Sequence, residues 1–185
     1  IGEIKQLKKE IDKINNITMP AIDDLLFEIE IAIDPEKGIN KIDDLLKSSN
    51  SSTQIECLKN KKMALNMELE NYDQVLNEIN NIVKPNLSDD LKGFKLISLY
   101  KLKKDDELNN YTDELIKEQD GKKNNKLYNL LLELYLLNEK DSLKFDVNLF
   151  ENKISQIIEN INVSFLNLAL LEEVRKEKDS KKYKT

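Results

Sequence analysis

Residues 147–174 read VNLFENKISQIIENINVSFLNLALLEEV. Val147, Phe150, Ile154, Ile157, Ile161, Ser164, Leu168 and Leu171 recur at steps of three and four, which lays one stripe along a helix. Up to Asn160 the opposite face is polar, with Glu151, Asn152, Lys153, Ser155, Gln156 and Glu159. Past Ile161 the residues Val163, Phe165, Leu166, Ala169 and Leu170 make the segment apolar on nearly every side, so other helices are expected to surround it. About 28 residues at a rise of ~1.5 Å give a rod of roughly 42 Å. The segment reads as the central strut of an all-helical domain.

A second stripe matches it. Ile55, Leu58, Lys62, Leu65, Leu69, Tyr72, Leu76, Ile79 and Val83 alternate three and four, and Lys62 alone breaks the apolar series. A helix from Thr53 to Val83 would be roughly 46 Å long, close to the first. It is either a bundle helix of this chain or an intermolecular coiled coil in which Lys62 sets the register. Cys57 falls off the stripe, where it is either a surface thiol able to form a disulfide dimer or a small apolar residue under a second packing face. Glu56 and Lys59 beside it give no sign of an activated thiolate.

The remaining segments are shorter. Ile4, Leu7, Ile11 and Ile14 form a narrow stripe that ends near Met19-Pro20, a first helix expected to pack loosely over 1–19. Ile22, Leu25, Leu26, Ile29 and Ile33 give a second helix, and Asp34-Pro35-Glu36-Lys37-Gly38 a turn. Ile39, Ile42, Leu45 and Leu46 give a third. The Asp23-Asp24 and Asp43-Asp44 pairs sit in similar amphipathic segments, and the oxygen-rich loop of a calcium site is missing. Ser48–Ser52 is a polar linker with capping chemistry at Ser51 and Gln54. Ser88 caps a helix running to about Lys103, Asp105-Asp106 opens another, and Asp120-Gly121 turns the chain. Residues 127–137 are apolar nearly all round and read as a buried helix.

Composition agrees with this. The 185 residues are 39% hydrophobic and 35% charged, with four Gly and three Pro, too few turn residues for a sheet protein of this size. The net charge of −6 speaks against general nucleic-acid binding. Basic residues gather from Arg175 to Lys184, either as a frayed helix end over 179–185 or as a patch for an anionic partner. There is no histidine, which removes the commonest general base and imidazole metal ligands. One cysteine builds no internal disulfide and no structural zinc site. Gly2, Gly38, Gly93 and Gly121 are too scattered for a phosphate-cradling loop. No catalytic, cofactor-binding or metal-ligating residue is assigned, and no partner-binding residue can be named. No run approaches the ~18 apolar residues of a membrane span. Ile1-Gly2-Glu3-Ile4-Lys5 has no signal-peptide character, so a signal or lipid-anchor segment would lie upstream.

The Lys, Asn, Ile and Leu bias, the lack of His and Trp, the four glycines and the amphipathic runs Ile55–Val83 and Val147–Val174 resemble the plasmid-encoded surface lipoproteins of Borrelia spirochaetes. That is the broad group of small all-helical outer-surface proteins that includes complement-regulator-binding members. The resemblance implies a lipid-anchored domain on the outer membrane that acts in adhesion or immune evasion by binding a host protein such as a complement or matrix component. It carries over no functional residue. AT-rich protozoa and intracellular coiled-coil proteins share much of this composition.

The expectation is one elongated all-α domain over 1–185, with six to eight helices. Two are long, near 53–83 and 143–178, and Phe27, Phe94, Phe145, Phe150 and Phe165 lie inside. The function expected is non-enzymatic binding of a host protein at the cell surface, as a monomer or homodimer. The alternative is a cytoplasmic scaffold that self-associates through the 55–83 stripe.

Overall fold

The computed structural model describes residues 6, 20–82, 87–118, 124–142, 145–159 and 161–182. The described residues form nine helices and no strand: α1 (Pro20–Ile33), α2 (Pro35–Ser48), α3 (Ser52–Glu68), α4 (Tyr72–Asn80), α5 (Asp89–Lys101), α6 (Asp105–Lys117), α7 (Asn125–Asp141), α8 (Val147–Ile158) and α9 (Phe165–Lys182). The protein is all-α, with more helices than the six to eight expected because each long helix is broken in two. The N-terminal stripe Ile4, Leu7, Ile11 and Ile14 lies outside the described residues, as do Val83 and the Asp120-Gly121 turn; of residues 1–19 only Gln6 is described, and it is helical. The chain divides into two compact units, Ile1–Gln74 and Val75–Thr185.

In the first unit α2 packs on both α1 and α3. Ile31, Ile42, Leu58 and Leu65 form its core, with Phe27, Ile39, Leu45 and Leu46 packed against them. The expected turn at 34–38 shrinks to Asp34, whose side chain accepts a hydrogen bond from the Lys37 amide at 3.1 Å, while Pro35 occupies the first turn of α2. Gly38 lies inside α2 rather than in a turn. A Cβ there would sit 2.9 Å from Ile31 Cγ1 and 3.3 Å from Leu65 Cδ1, so glycine is what lets the three helices converge. Ser51 caps α3 as its spacing to Gln54 predicts.

The 53–83 helix stops at Glu68. The Glu70 amide donates to Met67 O and the Asn71 amide to Asn66 O, the pair of bonds of a Schellman end, with Glu70 at φ 59° in the left-handed position. The same closure ends α5, where Lys103 has φ 55° and Lys104 donates to Leu99 O. Glycine usually takes that position; here Glu and Lys do, so the sequence carries no visible stop.

The second unit is built around α7, which packs against α5, α6, α8 and α9. Leu127, Tyr128, Leu131, Leu132, Leu134, Tyr135 and Leu136 are all buried, matching its all-round apolar sequence. This helix, not the 147–174 segment, is the central strut. The 147–174 run breaks between Ile158 and Phe165. Phe150 is fully buried, Phe27, Phe94 and Phe145 are half-buried, and Phe165 is 83% exposed, against expectation.

Candidate functional site

The break before α9 has a polar cause. Ser164, in phase with the apolar stripe, is the residue before the helix, and its hydroxyl accepts from the Asn167 amide at 3.2 Å. Asn162 and Ser164 are held by asparagines of the first turns of α7. The Asn162 amide donates to Asn125 Oδ1 at 2.7 Å, and Asn129 Nδ2 donates to Asn162 O at 2.9 Å. Asn167, itself buried, donates from Nδ2 to Asn129 O at 2.7 Å. At the other end of α9, buried Lys178 donates to Ser142 O at 2.7 Å and Lys140 O at 3.3 Å, satisfying the C-terminal carbonyls of α7. Its ammonium also lies 5.1 Å from the centre of the Phe145 ring.

These two polar anchors choose which face of α9 turns inward. Asn167, Leu171, Val174 and Lys178, spaced four, three and four, are the buried row. Leu170 and Leu171 pack on the core, and the other apolar residues at the start of α9 point out. Phe165 is 83% exposed, Leu166 78% and Leu168 48%, and Ala169 is exposed beside them. Among the described residues, other helices do not surround this end, contrary to the sequence expectation. Single exposed apolar residues are ordinary, but three large ones within one turn of a helix are not.

Several other features singled out in the sequence have structural partners, while the Asp23-Asp24 side chains lie outside the described residues. Arg175 donates from Nε and Nη2 to the two carboxylate oxygens of Glu151 at 2.9 and 2.6 Å, a fork that ties α9 to α8 and holds the guanidinium above its usual range. With Lys178 capping α7, the basic run from 175 is partly internal structure. Lys62 pairs with Asp43 at 2.7 Å and Asp44 with Lys47 at 2.9 Å, so the second acidic pair is divided between two lysines. Cys57 is exposed. Leu65 and Leu76, in the 55–83 stripe, are each 4% exposed and belong to cores of this chain.

A cleft of about 480 Å³ between α7 and α8 is walled by Tyr135, Glu139, Phe145 and Phe150, with Leu149, 59% exposed, at its edge. Burial pushes the Glu139 carboxyl up, against the pull of Lys178 and Lys153 and a hydrogen bond with the Tyr135 hydroxyl. Among the described residues, no group of three His, Cys, Asp or Glu side chains is placed to hold a metal ion, and no helix is long and apolar enough to cross a membrane. No protein-family model matches the chain, and no curated protein or solved structure matches it.

Proposed function

We propose that this chain is a non-enzymatic binding protein that docks a protein partner through the first two turns of α9. The observation that carries the reading is the exposed cluster of Phe165, Leu166 and Leu168. Burying one such side chain contributes about 1.5–3 kcal/mol, so three of them under a partner supply a hot spot of ordinary strength. The patch projects from a helix held at both ends by Asn167 and Lys178. A projecting apolar face fits a groove on the partner.

The resemblance to spirochaete surface lipoproteins supports a host protein, such as a complement or matrix component, as that partner. In this reading the domain stands on the outer surface, tethered by a lipid anchor outside this sequence. Self-association through the 55–83 stripe is less favoured, since Leu65 and Leu76 are enclosed by their own chain.

The test is to immobilise the chain and a Phe165→Ser/Leu166→Ser double variant in whole serum and in matrix extract, and to identify captured proteins by mass spectrometry. Circular dichroism shows whether the variant keeps its helices. A saturable partner whose affinity falls at least about tenfold in the folded variant supports the proposal. Equal capture by both chains, or none by either, overturns it.

A further inference from the structure

We draw no further inference here: the strongest candidate, the apolar groove between α5 and α7 walled by Gly93, Phe94, Ile97 and Leu130, is an unpartnered face, and nothing in the structure shows what covers it.

Discussion

The side-chain amide of Asn129 pairs with the backbone on either side of Val163: its Oδ1 accepts from the Ser164 amide at 2.8 Å while its Nδ2 donates to Asn162 O at 2.9 Å. One asparagine thus meets a donor and an acceptor of an extended segment, as a neighbouring strand would. The two bonds also fix which way the amide faces, because the Ser164 N–H needs an oxygen and Asn162 O needs an N–H.

Asn129→Ala removes both bonds and the Oδ1 contact of Asn167. The expected cost is about 1–3 kcal/mol, the range for groups that lose their hydrogen-bond partners. Urea unfolding checks it, and amide exchange at Ser164 should accelerate more than at Leu132 in the middle of α7. Unchanged exchange at Ser164 would show that the linker is held by something else.

Thr112 and Tyr111 lie buried on α6 with hydroxyls that have no hydrogen-bond partner among the described residues, whereas the Tyr128 hydroxyl donates to Leu115 O. Three near-isosteric changes therefore differ in sign. Thr112→Val and Tyr111→Phe should each stabilise by about 1 kcal/mol, because a buried polar group without a partner is lost. Tyr128→Phe should destabilise by about 1 kcal/mol or more, since it strips a donor from a buried carbonyl. Thermal unfolding of the three variants side by side decides the matter.

Glu70 closes α3 in the left-handed region, where a Cβ is crowded by the backbone. Glu70→Gly should raise stability by on the order of 1 kcal/mol. The side chain is exposed, so no packing is lost. A fall in the denaturation midpoint would mean that the carboxylate holds something the helix end needs.

Glu139 gives a pH dependence of definite sign. Its carboxyl sits above the ordinary 4.5, chiefly through burial, so the folded chain holds this proton more tightly than the unfolded one. Its contribution to stability is full below that ordinary value and is lost as pH rises through the raised one. Glu139→Gln should therefore be more stable than the parent at pH 7, with the difference shrinking as pH falls toward 4.5. Denaturant titrations of both proteins across that interval give the difference directly, and a gap that widens on acidification would reverse the assignment.

The helix content and most helix starts were legible because they depend on local chemistry. Ser51, Ser88 and Asp105-Asp106 mark helix starts in the sequence, and the all-round apolar run at 127–137 could only be buried. The breaks at 69–71 and 159–164 were not legible. Glu70 gives no glycine signal, and Ser164 falls in phase with Ile161 and Leu168, so the period runs across a gap in the helix. The exposed patch was hidden for a related reason. Apolar periodicity ranks faces by hydrophobicity, whereas α9 is oriented by Asn167 and Lys178, which reach carbonyl groups 38 and 36 residues away, a pairing that no local pattern shows. Tertiary hydrogen bonds to the ends of α7 outweighed about three apolar side chains, and Phe165, Leu166 and Leu168 are what they left outside.

The place of α7 also bears on how fast the second unit assembles. Its packing partners are the two helices before it and the two after it, so each contact closes a modest stretch of chain, and among the described residues no strand pairing has to be searched for. Loop closure of that length is cheap in entropy. A topology with such local connections belongs with helical bundles that fold in microseconds to milliseconds.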